Sequence, residues 1–382
     1  MDRLAQIIRA FDGYRLRYID VLNNDDSKSQ HTQLYQAVLK GKVNTDDEAA
    51  QFLFGKTAHK GTPTYRNFKT EFKKRLLTTL LFIDTSHADF DKYQKNIYEI
   101  NREWMTIRAI SRHGMSTISL SLAEKLLELI IQYDYTDLAI QVLDMLKYAT
   151  AMQGDKKQYA KYKTLSDRYI HLWLTEQKAK DYHNILRMEY MQSNQYKPFI
   201  SNIAKKYFEE LKPEMEKYDT VGLHMYGRIV EIYIYSTIND YENVLDVAER
   251  ALAFFKAKPF VLKAAISLFQ HQKMIALMML KRYAEAEKVI EETIVLRAKG
   301  SFNWFIAHES KMFLSFKMSH FTEGYALYAK ITKMPEFKEL REGLSKEIWV
   351  LFHAYFHLLA RLGKMPLSAF AEKDKVFKVS KF

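Results

Sequence analysis

Two histidines stand four residues apart in the segment WVLFHAYFHLLARL, at His353 and His357. In an α-helix this spacing puts both rings on one face, an arrangement that many zinc sites use. No Asp or Glu follows them at helical spacing, and the residues around them are aromatic or aliphatic. The pair is therefore interpreted as core and groove lining, and neither a metal nor another cofactor is predicted.

The densest group of basic side chains lies near position 70, interleaved with aromatic residues. On a helix, several of these cations share one stripe and the aromatic and aliphatic side chains share another, so the cations could contact phosphates. A solvated outer face explains the same pattern, since Glu71 dilutes the charge. Nucleic-acid binding is thus an alternative function, and its residues would be Arg66, Lys69, Lys73, Lys74 and Arg75.

Tyrosine and phenylalanine are abundant, with 25 and 24 copies. Most of these rings should pack between helices. Tyr-rich runs such as residues 229–244 should also put some rings on the inner surface of a helical array, where they suit the binding of a peptide or a partner helix. Use in the core explains most of the same positions. The predicted partner-binding residues are Tyr226, Tyr233, Tyr235, His353 and His357.

Catalytic signatures are not found in the sequence. There is no Gly-rich phosphate loop, no G-x-S-x-G elbow, no H-E-x-x-H and no dinucleotide fingerprint. The absence of cysteine excludes disulfides, thiolate catalysis and Cys-based metal sites. We expect a protein that is not an enzyme, although an enzyme with a dispersed site between domains is a rival interpretation.

The composition indicates a folded, helical chain. Of its 382 residues, 48% are hydrophobic and 27% are charged, while only 12 are Gly and 6 are Pro. Sheets and long loops need Gly and Pro at their turns, so their scarcity favours helices. No stretch of about 18 apolar residues occurs, and the N-terminus lacks the apolar core of a secretion signal. We therefore expect a cytoplasmic protein without a membrane span.

The net charge of +12 suggests an acidic partner or nucleic acid. Its distribution weakens that suggestion, because residues 116–260 carry 19 basic and 20 acidic side chains and the excess lies at the two ends. Opposite charges are mostly interspersed within those ends, as on an ordinary solvated helix face.

Apolar residues recur at three- and four-residue spacing nearly throughout, which predicts amphipathic helices. The breaks between them are short, and Pro213 is expected to form one. Residues 223–238 and 344–362 have apolar surfaces broad enough to predict burial on more than one side. Short connections between long helices predict antiparallel helix pairs.

Four of the predicted turns share a pattern of an aromatic residue, any residue, an acidic or amide residue, and a small or apolar one. The aromatic ring should fill the crevice between paired helices, and the third residue should favour the first turn of the second helix. The last three copies lie 42 and 38 residues apart. The four copies begin at Tyr135, Tyr241, Tyr283 and Phe321, and a weaker fifth begins at Tyr182.

The segment LKRYAEAEKVIEETI at 280–294 resembles the second helix of a tetratricopeptide repeat, with Tyr283, Ala286 and Ile290 at the spacing of that family. First-helix positions that are small in the family are larger here, which would alter the helix crossing. The overall texture also resembles large helical proteins of bacteroidete bacteria. The resemblance implies an all-α, superhelical array of antiparallel helix pairs that binds another protein or peptide.

The predicted organisation has three parts. Residues 1–115 show no repeat and should form an N-terminal helical bundle or cap. Residues 116–362 should form the tetratricopeptide-like repeats, and residues 363–382 a basic tail or a truncated continuation. The predicted function is a non-catalytic protein- or peptide-binding scaffold. A structural member of a larger assembly is a further possibility, which an apolar patch at one end of the array would indicate.

Overall fold

A computed structural model describes residues 29–79, 92–113, 116–192, 197–339 and 345–366, together with positions 8, 368 and 370. Across these ranges the regular elements are α-helices and no strand occurs, which confirms the predicted all-α class. Most of the predicted tail, and the beginning of the predicted cap, lie outside the described residues. The helices are α1 (Gln30–Leu39), α2 (Asp46–Phe54), α3 (Pro63–Thr79), α4 (Lys92–Arg112), α5 (Ser116–Gln132), α6 (Thr136–Met152), α7 (Lys156–Gln192), α8 (Lys197–Lys217), α9 (Val221–Ser236), α10 (Tyr241–Ala257), α11 (Lys263–Met279), α12 (Tyr283–Leu296), α13 (Phe302–Lys317), α14 (Phe321–Ile331), α15 (Pro335–Glu339) and α16 (Ser345–Arg361).

The chain divides into two compact units, residues 1–109 and 110–382. The first contains α1, α2 and α3, whose apolar faces enclose a core of Leu34, Val38 and Phe72. Helix α2 begins with a capping box, in which the Thr45 hydroxyl accepts from the backbone N–H of Glu48 and the Glu48 carboxylate accepts from the backbone of Thr45.

In the second unit each helix from α5 to α13 packs against the helix that follows it in the chain. Helix α7 also packs against α9, and the last helix, α16, packs against α13 and α14. Packing between sequence neighbours is the organisation of a helical repeat. At the end of this unit, Phe305, Trp349 and Phe356 form the centre of an aromatic core that we call the C-terminal core.

The four predicted turns have the same backbone. One residue in each adopts a left-handed conformation, with φ of 54° at Asp134, 61° at Asn239, 61° at Lys281 and 62° at Ser319. The next residue donates its N–H to the carbonyl five positions earlier, at 2.9–3.0 Å. This closure satisfies the last carbonyls of one helix just before the next helix begins. The first copy is displaced by one position, because α6 begins at Thr136 rather than at the aromatic Tyr135.

Two predicted interruptions of helices are wrong. Pro213 lies inside α8, at an exposed position where the carbonyl that loses its partner can be hydrated. The weaker fifth turn, at Tyr182, lies inside α7, which runs without a break for 37 residues. The true fifth turn is at Gly154, with φ of 74°, where Asp155 donates its N–H to the carbonyl of Thr150.

Candidate functional site

Two of the predicted tyrosines lie together between α7 and α9. The ring centroid of His183 is 5.8 Å from that of Tyr226 and 6.1 Å from that of Tyr233. Tyr190, two turns farther along α7, lies 6.0 Å from Tyr233. Tyr226 and Tyr233 are seven residues apart and so share one face of α9. We call these four side chains the tyrosine row.

Most of the tyrosine row is packed into the interface between the two helices. Burial lowers the pKa of His183, and the nearby charge of Arg187 lowers it further. Burial also raises the pKa of Tyr233. Both side chains are therefore neutral near pH 7, and the row is a packed aromatic seam that reaches solvent at the exposed Tyr190.

The other three predicted residues lie elsewhere. Tyr235 is two positions from Tyr233 and so points to a different side of α9. His353 and His357 are only 4% and 5% exposed, inside the C-terminal core. Their ring centroids are 4.6 Å apart, and they lie against Tyr328 and Phe370 at 5.7 and 4.4 Å. The five residues thus do not form a single surface, and the two histidines are not accessible to a partner at this site.

No group of three or more potential metal ligands occurs among the described side chains. The histidine pair lies within the C-terminal core, between the rings of α14 and Phe370.

A run of exposed apolar side chains lies along α16 and includes the residue that follows it. Leu351, Tyr355, Leu358 and Leu362 are 66%, 49%, 50% and 61% exposed. Their spacing of four, three and four residues places them in one row on the side of the helix opposite Trp349 and Phe356, which are fully buried. We call this row the terminal stripe.

The terminal stripe continues onto α13. The exposed ring of Phe313 lies 4.9 Å from Phe352, and Phe316 lies 4.8 Å from Tyr355, both edge to face. The exposed apolar surface therefore spans two neighbouring helices rather than a single row of side chains.

The predicted burial of residues 344–362 on more than one side is wrong for the outer face of α16. The same prediction is correct for the part of residues 223–238 that forms α9, since no residue of α9 is exposed, whereas Ile238 in the following turn is 48% exposed. Helix α9 is enclosed by α7, α8 and α10, whereas α16 packs against α13 and α14. The sequence of α16 resembles that of an interior helix, and spacing alone did not reveal that one of its faces is uncovered.

The basic residues near position 70 lie on α3, and two of them are paired. Lys69 Nζ is 2.7 Å from a carboxylate oxygen of Asp46, and Arg75 Nε is 2.8 Å from Glu71. Arg66, Lys73 and Lys74 are exposed.

The aromatic side chains between these cations belong to the core of the first unit. Phe72 is buried, Phe68 stacks on His31 at 4.5 Å, and the Tyr65 hydroxyl donates to Asp46 at 2.6 Å. These rings cannot stack on bases. The prediction of nucleic-acid binding therefore rests on the three exposed cations, Arg66, Lys73 and Lys74.

The carboxyl group of Glu176 lies where three helices meet. The hydroxyls of Thr220 and Thr136 donate to Glu176 at 2.5 and 3.2 Å. Burial raises the pKa of Glu176 to about 7, against the effect of these two hydrogen bonds. Gly222 provides the necessary room, since a Cβ there would lie 2.9 Å from the carboxyl carbon.

This arrangement joins the beginnings of α6 and α9 to the middle of α7. Beside it, Asp134 accepts from Lys258 Nζ at 2.7 Å and from the backbone N–H of Val221 at 3.3 Å. Burial raises the pKa of Asp134 as well, although the bond to Lys258 opposes the shift. These polar contacts hold three helix ends together and so have a structural role.

Within the described ranges, no helix is long and apolar enough to cross a membrane. Comparison with protein-family models, with curated protein sequences and with solved structures finds no match for this chain.

Proposed function

We propose that this chain is a non-catalytic protein-binding scaffold and that the terminal stripe is its main contact surface. The observation that carries the proposal is the row of four exposed apolar side chains, three on α16 and the fourth directly after it, continued by Phe313 on α13. Contiguous apolar surface of this kind is uncommon on a monomeric protein and marks sites of interaction. Leu and Tyr side chains also lose little conformational entropy when they become buried.

The partner proposed for this surface is an amphipathic helix of another protein. In the array, α9, α11 and α13 are each covered by the helix that follows, and the covering helix is amphipathic. A partner helix with apolar residues at three- and four-residue spacing would complete α16 in the same way. This is the binding mode in which a helix lies along an apolar groove.

The finer family assignment is part of the same proposal. We infer a tetratricopeptide-like array because the left-handed residues of the last three turns, Asn239, Lys281 and Ser319, recur at intervals of 42 and 38 residues. A cytoplasmic location is also proposed, supported by the absence of cysteine.

The test is a double substitution, Leu351→Glu with Leu358→Glu, with a photo-crosslinking amino acid placed separately at position 362. Two carboxylates in the stripe should reduce binding of the crosslinked partner, measured with purified proteins, by about a hundredfold or more. The matched control, Met279→Glu with Val295→Glu, changes side chains that are 54% and 85% exposed on other helices and should leave binding unchanged.

Each outcome is decisive for the stripe. A crosslink to an amphipathic helix of another protein, with binding lost only in the stripe variant, supports the proposal. A crosslink to a second copy of this chain, no crosslink, or equal binding by both double variants contradicts it. Nucleic acid retained at low salt and released by Arg66→Glu would favour the basic face of α3 instead.

A further inference from the structure

A cavity of about 380 Å³ is lined by residues of α12, α13 and α14. It exists because α14 turns small side chains toward it, at Gly324 and Ala326, while its tyrosines pack into the C-terminal core. Leu314, Met318 and Leu327 provide an apolar lining. The volume is sufficient for one large apolar side chain with part of its main chain.

Charged residues lie at both ends of the cavity. Lys330 lies in the last turn of α14 and Glu323 in its first turn. Because α13 and α14 are antiparallel, Lys311 of α13 lies at the same end as Lys330. Burial lowers the pKa of His308 against the effect of its hydrogen bond with the Trp304 carbonyl, and the charges of Lys311 and Lys330 lower it further, so both lysines act on this one ring.

The acidic end is formed by residues of two helices. Glu291 of α12 pairs with Lys311 at 3.0 Å, so Glu287, one turn earlier on α12, lies away from the lysines. Glu287 and Glu323 therefore face the end of the cavity opposite Lys330. The result is an apolar cavity with Lys330 and the Lys311–Glu291 ion pair at one end and Glu287 and Glu323 at the other, about 10 Å away along α14.

We propose that this cavity binds an extended segment of a partner protein in which an apolar residue is flanked, two positions away on either side, by an acidic and a basic residue. In an extended chain alternate side chains share one face and the two charged residues lie about 13 Å apart, within reach of both ends. The acidic residue faces Lys330 and the basic residue faces Glu323. The inference rests on the proposed scaffold function but uses a surface separate from the terminal stripe.

The probes are three fluorescein-labelled peptides with charged residues at alternate positions separated by serines. One has glutamate, leucine and lysine in that order, one has the reverse order, and one has serine in place of leucine. Fluorescence anisotropy should show saturable binding, with a Kd below about 1 mM, for one of the leucine peptides. The serine peptide should bind about tenfold more weakly or worse.

Ala326→Phe fills the cavity from an exposed position and should weaken binding of the leucine peptide about tenfold or more. The control Ala253→Phe, at an exposed position of α10, should have no effect. The charge swap, Glu323→Lys with Lys330→Glu, exchanges the two ends of the cavity. It should shift the preference toward the leucine peptide whose order is opposite to the one that the wild-type chain prefers. Equal binding of all three peptides, no binding, or no effect of Ala326→Phe would overturn the proposal.

These results separate the two proposals. If Ala326→Phe loses peptide binding and the Leu351→Glu, Leu358→Glu variant keeps it, the cavity proposal is supported. This holds whether or not the terminal stripe binds a partner. A partner lost only in the stripe variant, with no peptide bound by the wild-type chain, leaves the scaffold function in place and removes the cavity.

Discussion

The turns between helices are built on residues in the left-handed region of backbone conformation. Gly154 occupies one of these positions, whereas Lys281 and Ser319 occupy two others with φ of 61° and 62°. Side chains other than those of Gly, Asn and Asp are disfavoured there, because Cβ crowds the neighbouring carbonyl oxygen. The array thus carries a small strain at the turns that are not built on glycine.

Lys281→Gly should raise the free energy of unfolding by about 1 kcal/mol, because it relieves the steric cost of the left-handed backbone. Ser319→Gly should act in the same direction. Chemical denaturation followed by circular dichroism measures both. Gly154→Ala is the reciprocal control and should lower the free energy of unfolding by a similar amount; a stabilising Gly154→Ala would contradict the argument.

Two buried glutamates should make stability depend on pH. Burial raises the pKa of Glu176 to about 7, and that of Glu309, which accepts from Trp349 Nε1 at 2.7 Å, to about 7. The ordinary glutamate pKa is 4.5, so between these values the folded chain holds protons that the unfolded chain has released. These two carboxyl groups therefore contribute stability that is lost as the pH rises from about 4.5 to about 7, whereas the buried histidines, whose pKa values are lowered, contribute in the opposite sense.

Glu176→Gln removes one of these titrations and keeps the hydrogen bonds with Thr136 and Thr220. Between pH 5 and pH 8 the free energy of unfolding of the variant, taken relative to that of the wild type, should rise by roughly 1–3 kcal/mol. Thermal melting across this pH range is the measurement, and Glu242→Gln at an exposed position is the control. Parallel pH profiles for wild type and Glu176→Gln would show that the carboxyl group titrates normally.

At the level of the helix, α14 depends on a close approach to α13. A Cβ at Gly324 would lie 2.2 Å from Ser315 Oγ and 3.0 Å from Ser315 Cβ. Ser315 cannot easily move away, because its hydroxyl donates to the carbonyl of Met312 at 2.7 Å. The pair therefore fixes the distance between the two helices and with it the depth of the cavity beside them.

Gly324→Ala should lower the free energy of unfolding by about 1–3 kcal/mol, because the added methyl group overpacks the contact between α13 and α14. Urea denaturation gives the magnitude. The second-site variant Ser315→Gly removes both clashing atoms and should recover part of the loss in the Gly324→Ala background. If Ser315→Gly gives no recovery, the contact is not the cause.

The sequence predicted the class of the elements well, because amphipathic spacing and turn chemistry are local. The turns at Tyr241, Tyr283 and Phe321 are confirmed as helix starts. The break predicted at Pro213 rests on the cost of a proline in a helix interior. That cost is reduced here because the position is exposed and water can satisfy the freed carbonyl. The pattern at Tyr182 is an ordinary product of amphipathic spacing within a helix.

The candidate site was harder to predict because it depends on which helices are neighbours. Spacing shows that Leu351 and Leu358 share a face, but not that this face is uncovered. It likewise shows that His353 and His357 are paired, but not that Phe370 lies against them. A single sequence specifies the faces of each helix better than it specifies what packs on them.

At the scale of the whole second unit, each helix is stabilised mainly by its neighbours in the chain. The stability of such an array is close to a sum of the helices and their interfaces. Among the described helices only α13 and α14 pack on α16, and a partner bound to the terminal stripe would stabilise this helix in proportion to its occupancy.

The uninterrupted α7 has a mechanical consequence. Near its start Tyr162 donates to Glu124 of α5 at 2.8 Å, and toward its end His183 lies against Tyr226 of α9. At about 1.5 Å per residue, this helix is a stiff strut of roughly 55 Å. A regular array would have a turn between helices at this point. Here α5 and α9 both contact the same continuous helix, so they should move together. Bending of the second unit is then expected at the turns after α9. A pulling force applied near α5 is transmitted to α9 through a single helix that extends very little.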